Sequence, residues 1–189
     1  TREQTLDTCV RLAATGVVDV LRAGIWKPRT QPGTFEGVGL PGLAWMSEAK
    51  RLTGLPIATE VASKKHVESA LEFGVDVLWL GARTTVSPFA VQEVAEAVKG
   101  TDVKILIKNP MNPDIALWAG AVSRFVNVGI PEENIGLIHR GVNTFAGDDI
   151  ADTFFCKIHG NFLIGDIWYT GTGILLWDSW NHVLSVYDD

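Results

Sequence analysis

The feature that most restricts this chain is a repeat. Short, β-branched, nearly unbroken apolar runs alternate with amphipathic helical stretches, at spacings of about 25–35 residues. The runs cover residues 17–21, 56–61, 75–80, 103–108 and 135–138, predicting parallel strands at about 17–22, 57–61, 77–82, 104–108 and 135–139, and helical patterns cover 1–15, 43–52, 64–73, 88–99 and 114–128. Glycines at 54, 74, 100 and 129 stand where helices stop, and Asp114 stands where one starts. Strands that are apolar on both faces are what parallel sheets covered by helices require. A closed (β/α)8 barrel and an open, doubly wound sheet both satisfy this pattern, and periodicity alone does not choose between them.

Beyond Gly147 the rhythm changes. Residues 162–167 and 168–177 read as hairpin strands around a glycine-containing turn, and Trp168, Trp177 and Trp180 crowd this end. Exposed apolar surface is expected there. The division expected is therefore a βα-repeat unit over 1–147 and a divergent, hairpin-like tail over 148–189.

The strand ends carry the chemistry. Arg22, Glu60, Arg83, Lys108 and Arg140 each stand at or just beyond the end of one apolar run. A charged residue after a strand is often only the first solvated loop residue. In a barrel, however, all carboxyl ends of the strands meet on one face, and that face holds the site. Four cations with one carboxylate would then surround a pocket suited to a small polyanion, arginine gripping through its fork and lysine acting as a point charge. Lys27, Arg29 and Thr30, in the loop after the first strand, can grip a second anionic group. Lys108 could alternatively act as a Schiff-base amine, which needs a depressed pKa.

With these residues set out, a family resemblance emerges. Arg22-Ala23-Gly24-Ile25-Trp26-Lys27-Pro28-Arg29-Thr30 resembles the KPRT region of 3-deoxy-arabino-heptulosonate 7-phosphate (DAHP) synthases. Gly81-Ala82-Arg83-Thr84-Thr85 is similar to their GART motif, and Lys108-Asn109-Pro110 and His139-Arg140-Gly141 follow in the family's order. The subgroup resembled is the bacterial one often fused to chorismate mutase, and the likeness runs from residue 1 to about residue 144. It implies a partial TIM (β/α)8 barrel with about five of the eight parallel strands. It implies an aldol-type transferase condensing phosphoenolpyruvate with erythrose 4-phosphate in the shikimate pathway. It also implies roles. Arg83, Arg140 and the Ala82 N–H would hold the phosphate of phosphoenolpyruvate. Arg22, Lys27 and Lys108 would hold its carboxylate, with Lys27 and Lys108 steadying developing charge as the catalytic pair. Arg29 and Thr30 would take the phosphate of erythrose 4-phosphate, and Glu60 would orient the cations or a water.

The resemblance also implies a divalent metal acting as Lewis acid. The family's ligands are a Cys in Gly-Pro-Cys-Ser, a His in Asp-Pro-Ser-His, and a later Glu and Asp. Neither motif occurs in this sequence, and His159 sits in an unrelated context, Lys157-Ile158-His159-Gly160. No metal residue is assigned, and the likeness is expected to be incomplete at both ends, the tail resembling what a frame change would produce. Three readings stand: a DAHP synthase-like enzyme, a non-catalytic relic that binds phosphoenolpyruvate or phosphate, and a Schiff-base aldolase.

Composition narrows the rest. At 189 residues the chain can bury a real core, yet a whole barrel typically takes about 250. A net charge of −6 argues against nucleic acid as a partner. No apolar run is long enough to span a membrane, and two cysteines suggest no disulfide framework, so a reducing cytoplasm is the expected setting. A homo-oligomer remains compatible with the sequence.

Overall fold

A computed structural model describes residues 1–29, 31–112 and 114–141, and the backbone of three later strands. Five parallel strands, β1 (Leu21–Arg22), β2 (Ile57–Val61), β3 (Val77–Leu80), β4 (Lys104–Lys108) and β5 (Ile135–Ile138), lie side by side in chain order. A doubly wound sheet reverses its strand order at a switch point. This order never reverses, so the strands form part of a (β/α) barrel wall.

Helices cover the outer face: α1 (Arg2–Ala14), α2 (Leu40–Thr53), α3 (Lys64–Glu72), α4 (Ala82–Thr85), α5 (Pro88–Val98) and α6 (Ile115–Asn127). Each long one begins at a recognisable signal. Thr1 and Gln4 form a capping box on α1, Ser63, Ser87 and Asp114 cap α3, α5 and α6, and Pro41 stands in the first turn of α2. Buried positions such as Val91, Val94, Ala95 and Val98 on α5, or Trp118, Ala121 and Phe125 on α6, recur at helical spacing and form the contact stripe.

Side chains alternate along each strand, and the alternation sorts the barrel into two layers. Leu21, Ile57, Val61, Leu78, Leu80, Ile105, Ile107 and Ile135 face the helices in the main core. Ala58, Val77, Trp79, Leu106 and Ile138 form a smaller cluster in the opposite phase, inside the wall. Glu60 and Lys108 share that inner phase, one step further along their strands. Thr59 falls in the helix-facing phase, 1% exposed, and its Oγ1 has no hydrogen-bond partner among the described residues. Thr59→Val keeps the shape and removes an unpaired hydroxyl, so it is expected to raise stability by roughly 0.5–1 kcal/mol in urea unfolding. A loss of stability would show that the hydroxyl has a partner after all.

Two boundaries differ from the sequence reading. The first strand is only Leu21–Arg22, where 17–22 was expected. Its ladder runs only beside residues 56–58, through Leu21 N–H to Pro56 O and Ala23 N–H to Ala58 O, and Val17 is 81% exposed. The third strand stops at Leu80, two residues before the expected end, because Gly81 O already accepts from Thr84 N–H and Thr85 N–H to start α4. Among later residues, β6 (Ile158–Ile164) lies parallel to β5, and β7 (Ile167–Asp178) and β8 (Val183–Tyr187) follow antiparallel. Gly171 and Gly173 lie within β7. The side chains of Trp168, Trp177 and Trp180 lie outside the described residues.

Candidate functional site

The end of the wall at the carboxyl ends of the strands holds a cavity of about 340 Å3. Arg22, Glu60, Arg83, Lys108 and Arg140 all line it, and so do Lys27, Arg29 and Ala82. Every described residue singled out from sequence is thus brought to one place, from four strand ends, one loop and the start of α4. Thr30 lies outside the described residues. A second cavity of about 310 Å3 adjoins the first, sharing Pro28, Arg29 and Arg83 and adding Gln31, Thr34 and Phe35.

The loop that carries Lys27 and Arg29 is folded back on itself. Lys27 N–H donates to Glu36 O at 2.8 Å, Gly39 N–H to Ile25 O at 3.0 Å, and Arg29 Nε to Phe35 O at 3.0 Å. Gly37 lies where these segments touch. Its φ is 103°, and a Cβ there would strike the Ile25 carbonyl, so only glycine closes the loop. Trp26 stacks on His66 of α3, with centroids 4.1 Å apart and planes within 4°. His66 Nδ1 accepts from Ala62 N–H, and burial followed by the nearby Lys65 charge lowers its pKa, favouring the neutral ring that this bond needs.

Two residues that the sequence reading did not single out organise the floor and wall. Trp79 of β3 points into the cavity, with Arg22 Cζ 4.9 Å and Lys108 Nζ 5.6 Å from its ring centroid, both in cation–π range. Its Nε1 donates to Glu60 Oε2 at 3.2 Å. Asn109, fully buried, ties the ends of β4 and β5 together. Its Oδ1 accepts from Arg140 N–H at 2.7 Å, and its Nδ2 donates to Gly141 O at 2.8 Å and to Pro110 O at 2.9 Å. Asn109 lay hidden inside a matched motif and Trp79 inside an apolar run. The signal for Trp79 was the strand phase that Glu60 sets on the neighbouring strand.

The charge balance is strongly cationic. Burial holds Lys108 below the usual lysine range, with Arg22 adding to the effect, Glu60 opposing it and Arg140 adding a little more. Burial, then Arg140, likewise lowers His139.

The sequence model described as the DAHP synthetase I family matches residues 1–158. The chain belongs to this family. Among curated relatives, a phospho-2-dehydro-3-deoxyheptonate aldolase of Thermotoga maritima is 29% identical over 144 residues, covering 76% of this chain and 40% of the relative. The crystal structure of the enzyme so named from that organism, also called DAHP synthase, superposes with a TM-score of 0.65 at 28% identity, over 77% of this chain and 40% of that one. A truncated form of the Thermotoga maritima synthase gives 0.62 at 26% identity, over 77% and 49%. The chain therefore spans about 40% of the length of the curated relative it matches.

The metal that the family implies has no visible home here. Among the described residues no three His, Cys, Asp or Glu side chains come together in a way that could hold an ion. Among the described residues Glu60 is the one carboxylate lining the cavity, and Cys9 is buried in α1 against the main core. The described residues do not fit a metal site. No helix among the described residues is long and apolar enough to cross a membrane.

Proposed function

We propose that the cavity is the phosphoenolpyruvate-binding part of a 3-deoxy-7-phosphoheptulonate synthase-like site, whose second substrate is erythrose 4-phosphate. The observation that carries this is convergence. Arg22, Lys27, Arg83, Lys108 and Arg140 surround one cavity to which the described residues bring a single carboxylate, Glu60. Such a surplus suits a ligand with a phosphate at one end and a carboxylate at the other.

Arg83, Arg140 and the Ala82 N–H take the phosphate. Arg22, Lys27 and Lys108 take the carboxylate, and Lys27 and Lys108 steady charge that develops on the enol. Arg29, which lines the second cavity, takes the phosphate of erythrose 4-phosphate together with Thr30. The contribution of these residues is positioning: two reacting carbons are held in register within a field that stabilises negative charge.

Calorimetric titration of this 189-residue chain tests the reading. Phosphoenolpyruvate should bind more tightly than inorganic phosphate or pyruvate, and more weakly as salt rises, because several charge pairs carry the binding. The pH dependence has a definite sign. An anion needs Lys108 protonated, and its pKa is lowered. Affinity should therefore fall as pH climbs through that lowered value, ahead of the range where ordinary lysines titrate. Binding no tighter than that of inorganic phosphate, or indifferent to salt, would sink the proposal.

The lowered pKa of Lys108 also favours a second reading, a Schiff-base amine condensing with a ketone and releasing water. Borohydride with pyruvate should then leave a reduced adduct on Lys108. Its absence by mass spectrometry removes that reading and leaves the first untouched.

A further inference from the structure

Glu60 poses a physical problem. A carboxylate placed among Arg22, Lys108 and Arg140 should collapse onto them and cancel the field that an anionic ligand needs. Yet among the described residues no ion pair joins Glu60 to any cation. Its oxygens are occupied elsewhere. Oε2 accepts from Trp79 Nε1, and Oε1 lies over the bare Cα of Gly81, where an added Cβ would collide with it. Both partners follow from the strand register, since Glu60 and Trp79 are Cα partners across the β2–β3 ladder and Gly81 follows two residues after Trp79. Gly81 is buried at φ −70°, ψ 157°, a conformation open to any residue, so what its hydrogen side chain provides is room. The same indole presents its face to Arg22 and Lys108.

We propose that Trp79 is a positioning residue: with the space left by Gly81, its indole N–H holds the Glu60 carboxylate apart from Arg22 and Lys108, and so keeps both cations open to an anionic ligand. This deepens the reading of the cavity as a phosphoenolpyruvate site and rests on it. The indole serves both signs of charge, the N–H edge binding the carboxylate and the π face supporting the cations. Phenylalanine would keep the face and lose the edge.

The test has a readout that needs no ligand. The pH profile of Lys108 acylation, followed by mass spectrometry, reports whether a carboxylate has moved towards the amine. Trp79→Phe and Gly81→Ala should each shift the Lys108 profile to higher pH, because a released Glu60 favours the ammonium form. Adding Glu60→Gln to either variant should return the profile to that of Glu60→Gln alone. In parallel, each single variant should weaken phosphoenolpyruvate roughly tenfold, the scale of one compromised charged hydrogen bond. Inorganic phosphate, held at Arg83 and Arg140, should change far less, and Glu60→Gln should restore the lost affinity.

If Trp79 acts only by packing, Glu60→Gln will not rescue Trp79→Phe, and the proposal is overturned. Gly81→Ala leaves the indole in place, so it decides the matter even if Trp79→Phe folds poorly. An unmoved Lys108 profile in Gly81→Ala also overturns it. A moved and rescued profile in a chain that does not bind phosphoenolpyruvate would leave the positioning role standing and remove the substrate reading instead.

Discussion

Replacing Arg140 with alanine is expected to weaken phosphoenolpyruvate binding by about 1.5–3 kcal/mol, the range of a lost charged hydrogen bond and roughly 10- to 150-fold in affinity. Arg140 follows β5, and its backbone is fixed before any ligand arrives, because its N–H is held by Asn109 Oδ1 at 2.7 Å. The guanidinium makes one long contact, Nη1 to Gly141 O at 3.4 Å, and otherwise lines the cavity. Little ordering remains to be done on binding, so the loss should approach the upper part of the range. Arg83→Ala should cost a similar amount. Arg83 reaches across to Pro28 O at 3.5 Å, which joins it to the Lys27–Arg29 loop, so part of its effect will be felt at the second cavity. The double variant should lose less than the sum, since both side chains grip one phosphate. Arg140→Lys should fall between, keeping the charge and losing the planar fork. Titration at fixed salt measures all four. Arg140→Ala binding within about threefold of the parent would remove Arg140 from the proposed site.

How much of this was readable beforehand follows from which interactions are periodic. β2 to β5 lie close to where the apolar runs placed them, because a strand covered on both faces advertises itself through composition. The convergence of Arg22, Glu60, Arg83, Lys108 and Arg140 was readable for the same reason, since parallel strands in sequential order put all their carboxyl ends on one side. β1 was overestimated, because Val17 to Val20 have the β-branched composition of a strand but no ladder partner, and pairing is a property of neighbours. Gly81-Ala82-Arg83 read as a strand end and is a helix start, set by hydrogen bonds back to Gly81 O that no propensity reports. Trp79 was counted as one more apolar residue in Val77–Leu80. What distinguishes it is the cross-strand position of Glu60, which is a statement about register. Asn109 was matched as a letter in a motif, with its reach across to the next strand invisible.

Asn109→Ala is expected to have the largest effect on stability, a loss of about 2–4 kcal/mol, because it strands the Arg140 N–H and leaves the Gly141 carbonyl only the long contact from Arg140 Nη1 at 3.4 Å. Pro110 keeps Asn109 extended, so its N–H continues the β4–β5 ladder to Ile138 O at 3.1 Å. The side chain then reaches further along than the ladder can, to Arg140 N–H and Gly141 O. Gly141 has φ 83°, so the chain turns there into a conformation that offers no regular partner to these groups. Alanine leaves the Arg140 N–H and Gly141 carbonyl without the amide, in a place where Asn109 itself is 0% exposed. Asn109→Asp keeps the acceptor for Arg140 N–H but sets an oxygen against the Pro110 and Gly141 carbonyls, so it should not rescue stability. Urea unfolding with an unchanged m-value would report the loss as stability alone. The same variants should bind phosphoenolpyruvate more weakly even well below their unfolding midpoints, because Arg140 would no longer be held at the cavity wall. An Asn109→Ala chain within about 0.5 kcal/mol of the parent would show that water replaces the amide in full, and that the β4–β5 junction is held by its ladder alone.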